Sequence, residues 1–154
     1  AAEMHHAVFA EAERADAVVM AAAVADYTPA GGAAAQKVAK EEGDLGLRLV
    51  RTHDILADLG AWRGDRRRPV LVGFAAETTD VVAKARAKLA RKRADLIVAN
   101  DVSRADAGFE VTTNAATLVA ADGEQDVPLQ AKSALAARIL DKVQTLLDKA
   151  GVRS

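Results

Sequence analysis

Three short apolar runs constrain the fold of this chain more than anything else in it: Ala17–Ala22 (AVVMAA), Pro69–Ala76 (PVLVGFAA) and Asp95–Ala99 (DLIVA). Runs of this length, bounded by polar residues, read as buried strands. Strands that are apolar at successive positions hide both faces, which points to a mainly parallel sheet covered by helices on both sides. The intervening segments supply those helices. Ala2–Ala15 spaces Met4, Val8, Phe9 and Ala12 at helical intervals; His53–Ala61 is a short helix with Thr52 as cap. Thr79–Arg93 follows, capped by Thr78 or Thr79 with Asp80 in its first turn, and Lys132–Lys149 closes the chain with Leu135, Ile139, Val143 and Leu146 inward. Leu45–Val50 alternates as a half-buried strand, and an exposed β segment, Thr117–Ala121, turns at Asp122-Gly123 into Gln125–Leu129. The order is that of one α/β domain over residues 1–154.

Composition removes several functions. With 21 Lys plus Arg against 22 Asp plus Glu, there is no global positive field to hold nucleic acid or an anionic membrane. Aromatics at 3% disfavour a base-stacking strand binder. The absence of cysteine excludes disulfides, thiolate metal sites and a Cys nucleophile. The longest apolar run, Ala17–Val24, is too short to span a bilayer, and the mixed charges of the first fifteen residues do not resemble a signal peptide. The expected setting is cytoplasmic. The chain opens on a helix rather than on a glycine-rich strand and turn, as a piece of a larger protein would.

Ligands of open α/β sheets bind at the carboxyl ends of the strands, here Ala23–Asp26, Ala75–Thr78 and Asn100–Ser103. Lys84, Lys88 and Lys92 form a stripe on one helix with Arg86, Arg91 and Arg93 nearby and only Asp80 acidic, so an anion such as a polyphosphate is the expected compensation. Lys37 and Lys40 follow the Gly-containing loop Thr28–Ala35, which could swing as a flap over about residues 28–44. Arg63 and Arg66–Arg68 read as a surface cluster, and Trp62 as packing at a helix end. His5 and His6 point to different faces of a helix, so a metal site built on imidazoles is not expected.

Four motifs then carry a resemblance: Met20–Tyr27 (MAAAVADY), the lysine after the loop at Lys37, Val72–Thr78 (VGFAAET) and Ala99–Ser103 (ANDVS). In this order and spacing, over nearly the whole chain, they resemble the bacterial CTP-dependent phosphopantothenate–cysteine ligases, the C-terminal half of a bifunctional coenzyme A biosynthesis protein. The resemblance implies a Rossmann-like three-layer sandwich with a mainly parallel sheet, plus a β-hairpin extension over about residues 109–129 used for homodimerisation. It implies CTP as co-substrate with Mg²⁺, and 4′-phosphopantothenate and L-cysteine as the other substrates. FMN belongs only to the decarboxylase half, through which the full protein would form a higher oligomer. Met20, Ala21, Ala22 and Asp26 are implied to form the strand end at the nucleotide. His53, Asp54, Ile55 and Leu56 supply backbone contacts, Phe74 meets the cytosine or ribose, and Lys88 and Lys92 bind phosphates. Lys37 is the implied flap lysine and Asn100 a further catalytic candidate; Asn100, Asp101 and Asn114 are placed toward the acyl substrate or the dimer interface. The family's flap pattern is close to Lys-Ile-Lys-Lys, whereas this chain reads Lys37-Val38-Ala39-Lys40. No residue is assigned to a metal. The family's glycine-rich opening segment and catalytic asparagine have no counterpart here, so CTP binding without full ligation is the expectation for these residues. Two alternatives are an NAD(P)-binding oxidoreductase domain, opposed by the lack of any G-x-G-x-x-G, and a non-catalytic dimerisation module.

Overall fold

The computed structural model describes residues 1–32, 46–101 and 112–151. In chain order the elements are α1 (Ala2–Ala12), β1 (Ala17–Met20), β2 (Tyr27–Pro29), β3 (Leu49–Arg51), α2 (Ile55–Arg63), β4 (Val70–Glu77), α3 (Val81–Lys92), β5 (Leu96–Asp101), β6 (Thr113–Ala120), β7 (Gly123–Ala131) and α4 (Lys132–Lys149). Five strands form one sheet in the order β1-β4-β5-β6-β7, and β2 pairs with β3 separately. The apolar runs become β1, β4 and β5, which lie parallel, with Val72 opposite both Val19 and Leu96. β6 and β7 join antiparallel, so the sheet is mixed.

Two apolar layers sandwich this sheet. On one face Leu71, Ala75, Ile97, Ala99 and Val119 pack against Ala12 of α1, Ile55, Leu56 and Leu59 of α2, and Ala85 of α3. On the other, Leu135, Ile139 and Val143 of α4 cover Val70, Val72, Leu96, Val98 and Leu118. The i, i+4, i+8 spacing on α4 places these three side chains on one stripe. The three-layer α/β expectation therefore holds. Among the described residues no helix is long and apolar enough to cross a membrane.

Several expectations change. β1 is an edge strand rather than a buried one: its described partner is β4 alone, and Val19 is 42% exposed. The alternating segment expected over 45–50 is exposed from 46 to 50, residue 45 lying outside the described residues; β3 is exposed at all three positions, its one partner among the described residues being the three-residue β2. The hairpin is longer than 117–129 and is part of the main sheet. Val119 and Val127 are buried beneath this chain's own helices, so they leave no apolar surface that demands a partner; Val111 lies outside the described residues. Asp54, not Thr52, caps α2 by accepting the Ala57 amide hydrogen at 3.2 Å, and Asp80 stands at the N-cap of α3 without a side-chain capping bond.

The largest correction concerns Arg63. It is 8% exposed at the end of α2 rather than in a surface loop. Its guanidinium donates to the Pro69 carbonyl at 3.0 Å and the Arg93 carbonyl at 2.7 Å, and it pairs with the Asp95 carboxylate. The same Asp95 oxygen accepts the Leu71 amide at 2.7 Å. One side chain thus ties the end of α2 to the entry of β4, the end of α3 and the entry of β5. Arg66 and Arg68 do lie at the surface, Arg66 over the Trp62 ring at 4.2 Å and Arg68 paired with Asp16 at 3.0 Å.

Arg63→Ala strands Asp95 and two carbonyls, and urea denaturation should register a loss of about 3 kcal/mol. Arg63→Lys should recover only part of it, because a single ammonium cannot reproduce the planar fork. At the β6–β7 turn, hydrogen bonds from Lys149 (2.6 Å) and Lys142 (2.9 Å) to Asp122 hold its carboxyl down at about 2. A depressed carboxylate contributes stability above its unfolded value and loses it as pH falls through the folded one. Thermal midpoints should therefore fall between pH 3.8 and about 2 less steeply in Asp122→Asn than in the unsubstituted chain.

Candidate functional site

β1 ends at Met20, opposite Gly73 of the parallel β4, which runs on to Glu77, and the chain beyond Met20 determines what stands beside the exposed edge of β4. After Met20 the backbone turns at once, the Ala21 amide donating to the Val19 carbonyl at 3.1 Å, and runs on through small side chains to Asp26. The Thr52 hydroxyl, expected as a helix cap, instead donates to the Ala25 carbonyl at 2.6 Å, and the Thr52 amide donates to the Asp26 backbone carbonyl at 2.9 Å. This fixes the 21–26 segment beside the start of α2. Between them opens a cleft of about 370 Å³.

Its floor is Met20, Ala22, Gly73 and Phe74; one wall is Asp26 with Thr52; the other is the start of α2, from His53 to Leu56. Lys88 and Lys92 of α3 close the far side. Ten of the residues expected at a nucleotide therefore share one cleft: Met20, Ala22, Asp26, His53, Asp54, Ile55, Leu56, Phe74, Lys88 and Lys92. Ala21 adjoins the lining without belonging to it. Lys37 and most of the expected flap lie outside the described residues, between β2 and β3. Asn100 stands apart, on β5, where its side-chain oxygen accepts from the Asn114 amide at 3.3 Å.

Gly73 and Gly60 set the cleft's dimensions. A Cβ on Gly73 would run into the Leu56 side chain, so the missing side chain lets α2 lie against β4. A Cβ on Gly60 would meet the Lys92 backbone carbonyl, so a bare backbone is what brings α2 close to the end of α3. The close approach places Asp54 2.9 Å from the Lys92 ammonium.

The lysine stripe is compensated differently from the expectation. Lys84 pairs with Glu77 at 3.2 Å, Arg86 with Glu124 at 2.5 Å, and Lys92 with Asp54. Acidic residues from β4, β7 and the start of α2 thus replace the missing i,i+4 partners. Lys88 is the exception: no ion pair holds it among the described residues. Burial lowers its pKa from 10.5, the charges of Lys92 and Arg91 lower it further, and Glu77 and Asp54 offset this only in part. Burial alone would raise the Asp54 carboxyl, but the Lys92 hydrogen bond, the Ala57 amide and the charges of Lys92 and Arg91 bring it below 3.8. The start of α2 adds backbone N–H groups and the positive end of its dipole to the same wall. Backbone contacts from 53–56 are implied by the resemblance, and the His53-Asp54 step before an apolar helix is their local signal.

The family model described as "DNA/pantothenate metabolism flavoprotein C-terminal domain" matches residues 1–147. This chain belongs to that family. It is 44% identical over 149 residues to the coenzyme A biosynthesis bifunctional protein CoaBC of Vibrio vulnificus, covering 96% of this chain and 36% of that protein. The CoaBC of Bacillus subtilis is 42% identical over 155 residues, covering all of this chain and 37% of the relative. The chain thus spans little more than a third of these relatives. A crystal structure of the C-terminal domain of a CoaBC superposes with a TM-score of 0.74 at 34% identity, covering 97% of this chain and 63% of that one. The sheet-and-helix arrangement of this family member is therefore that of a known CoaBC domain.

Because Lys88 is a half-buried cation with no ion-pair partner among the described residues, its charge costs stability. A lysine whose folded pKa is depressed holds its proton less firmly when folded, so the cost is relieved as pH rises through the folded value toward 10.5. Lys88→Met keeps the apolar stem and removes the charge. It should raise the melting temperature of the unliganded chain near neutral pH and flatten the rise toward pH 10.5, while weakening any polyphosphate bound in the cleft.

Proposed function

We propose that this chain carries the CTP site of a phosphopantothenate–cysteine ligase acting in cytoplasmic coenzyme A biosynthesis. The observation that carries the reading is Lys88, a half-buried cation without an ion pair among the described residues, facing a cleft beyond the carboxyl end of β1 in a chain related to CoaBC. Such a cation is costly until an anion arrives, and a triphosphate supplies several negative oxygens at once.

In the proposed reaction the carboxylate of 4′-phosphopantothenate attacks the α-phosphorus of CTP, and the bond to the departing pyrophosphate breaks. The resulting acyl-cytidylate is attacked at its acyl carbon by the cysteine amine, which loses a proton as CMP leaves. A free carboxylate resists attack by an amine; the mixed anhydride provides a leaving group. Lys88 and Lys92 neutralise the triphosphate and hold it still, which is most of what phosphoryl-group chemistry asks of a protein. The small side chains at 21–23 admit the nucleotide to the backbone, the amides of 53–56 offer donors to its oxygens, and Phe74 packs against the cytosine or its ribose.

Mg²⁺ prefers one or two carboxylates together with phosphate oxygens. Asp26 lines the cleft and forms no ion pair among the described residues, so it fits as the protein ligand; the ion would add charge neutralisation on the triphosphate. Lys37, on the flap over 28–44, is proposed to reach the reacting phosphate, and Asn100, Asp101 and Asn114 to serve the acyl-substrate side. A homodimer through the segment 109–129 remains part of the proposal. It now rests on the sheet-edge position of β7 and on Leu129, 41% exposed there, rather than on uncovered valines.

Calorimetry with CTP and Mg²⁺ tests the reading. CTP should bind at least about tenfold (1.4 kcal/mol) more tightly than ATP or NADH, and Lys92→Ala should weaken it by a similar factor. Tighter binding of NADH would favour a dinucleotide-binding domain, and equal affinity for all three would refute a cytidine site.

A further inference from the structure

Outside the nucleotide cleft, one side-chain cluster brings together groups that the chain keeps far apart in sequence. His5 lies on α1, His53 just before α2, and Asp58 in the first turns of α2. His5 Nε2 lies 3.1 Å from one Asp58 carboxylate oxygen, and His53 Nδ1 lies 3.2 Å from that same oxygen. All three ligand atoms fall within 4.8 Å of one another. The two imidazoles are 4.8 Å apart between centroids, and His5 is further held by stacking on Phe9 at 4.5 Å and 19°.

We propose that His5, His53 and Asp58 form a binding site for a zinc-type divalent cation, joining α1 to the rim of the cleft. Zinc–ligand bonds of ~2.0–2.1 Å in a tetrahedron set neighbouring ligand atoms ~3.3–3.4 Å apart. The two distances to Asp58 are close to such edges, and the third, within 4.8 Å, has to shorten by movement of the His53 side chain, which is 69% exposed. Two imidazole nitrogens and a carboxylate oxygen are a donor set for Zn²⁺ and its first-row neighbours, whereas Mg²⁺ takes oxygen ligands and prefers an octahedral shell. Three protein ligands leave a fourth position for water.

Without the ion, both imidazoles are satisfied by a single carboxylate oxygen; with it, each of the three groups ligates directly. The chain's third histidine, His6, is not part of the cluster and serves as an internal control. The site is independent of the proposed nucleotide chemistry, in which residue 53 contributes its backbone rather than its ring.

The test uses the chain freed of metal by a chelator, in buffer without nucleotide, titrated with Zn²⁺ and separately with Mg²⁺ by competition against a chromophoric chelator. Circular dichroism establishes that each variant is folded. One Zn²⁺ per chain should bind with micromolar or tighter affinity while Mg²⁺ does not compete, and Co²⁺ should give the intense visible bands of four-coordinate geometry. His5→Ala, His53→Ala and Asp58→Asn should each weaken Zn²⁺ by about tenfold or more, and His6→Ala should leave it unchanged. If His5→Ala proves unfolded, the exposed His53→Ala and the nearly isosteric Asp58→Asn decide. Absence of Zn²⁺ binding, affinity that survives in any folded cluster variant, or dependence on His6 overturns the site.

Discussion

Arg63 and Asp95 hold together the part of the molecule on which the cleft rests. A guanidinium buried at the end of a helix is expensive unless all its surroundings accept from it. Here the acceptors are a carboxylate and the carbonyls of two different connections, and only Nε has no acceptor among the described residues. These partners stand at the entries of β4 and β5 and at the end of α3, so the relative heights of two strands and two helices are set in one place. The cleft takes its lining from the other end of α2, from Gly73, Phe74 and Ala76 of β4, and from Lys88 and Lys92 in the last turns of α3. An error in register at Arg63 would appear there as a displaced Lys92 or Phe74.

Close backbone contact completes the arrangement. The bare α-carbons of Gly60 and Gly73 let α2 sink against α3 and β4 at once. With larger residues the helix would ride higher, and its first turn would no longer share a wall with the lysines of α3. Packing of the apolar faces supplies the cohesion, but these small residues decide the spacing.

The parts legible from the sequence were those with a strong period or a dense motif. β4, β5 and α4 follow directly from their apolar patterns, and ten of the expected nucleotide-site residues do share one cleft. What was not legible depended on partners distant in the chain. Arg63 looks like its arginine neighbours until the fold surrounds it with Pro69, Arg93 and Asp95. Val119 and Val127 look exposed until α3 and α4 cover them. The lysine stripe looks uncompensated because Glu77, Glu124 and Asp54 come from other elements, and His5 meets His53 only after α1 has docked. Local periodicity reports which face of an element is buried, but not which charge will stand opposite it.

The pairing of Asp54 with Lys92 has a further consequence. The same carboxylate that neutralises this lysine also caps α2, so it serves as an internal counter-ion on a lysine proposed to hold a phosphate. An incoming anion must displace it, and the displaced carboxylate does not leave: it remains tethered to the α2 amide. On the proposed reading, occupancy of the cleft is an exchange of one anion for another, with the helix end retaining the one it releases. Such an exchange keeps the vacant cleft from becoming strongly cationic and sets a threshold that a weakly charged ligand does not cross.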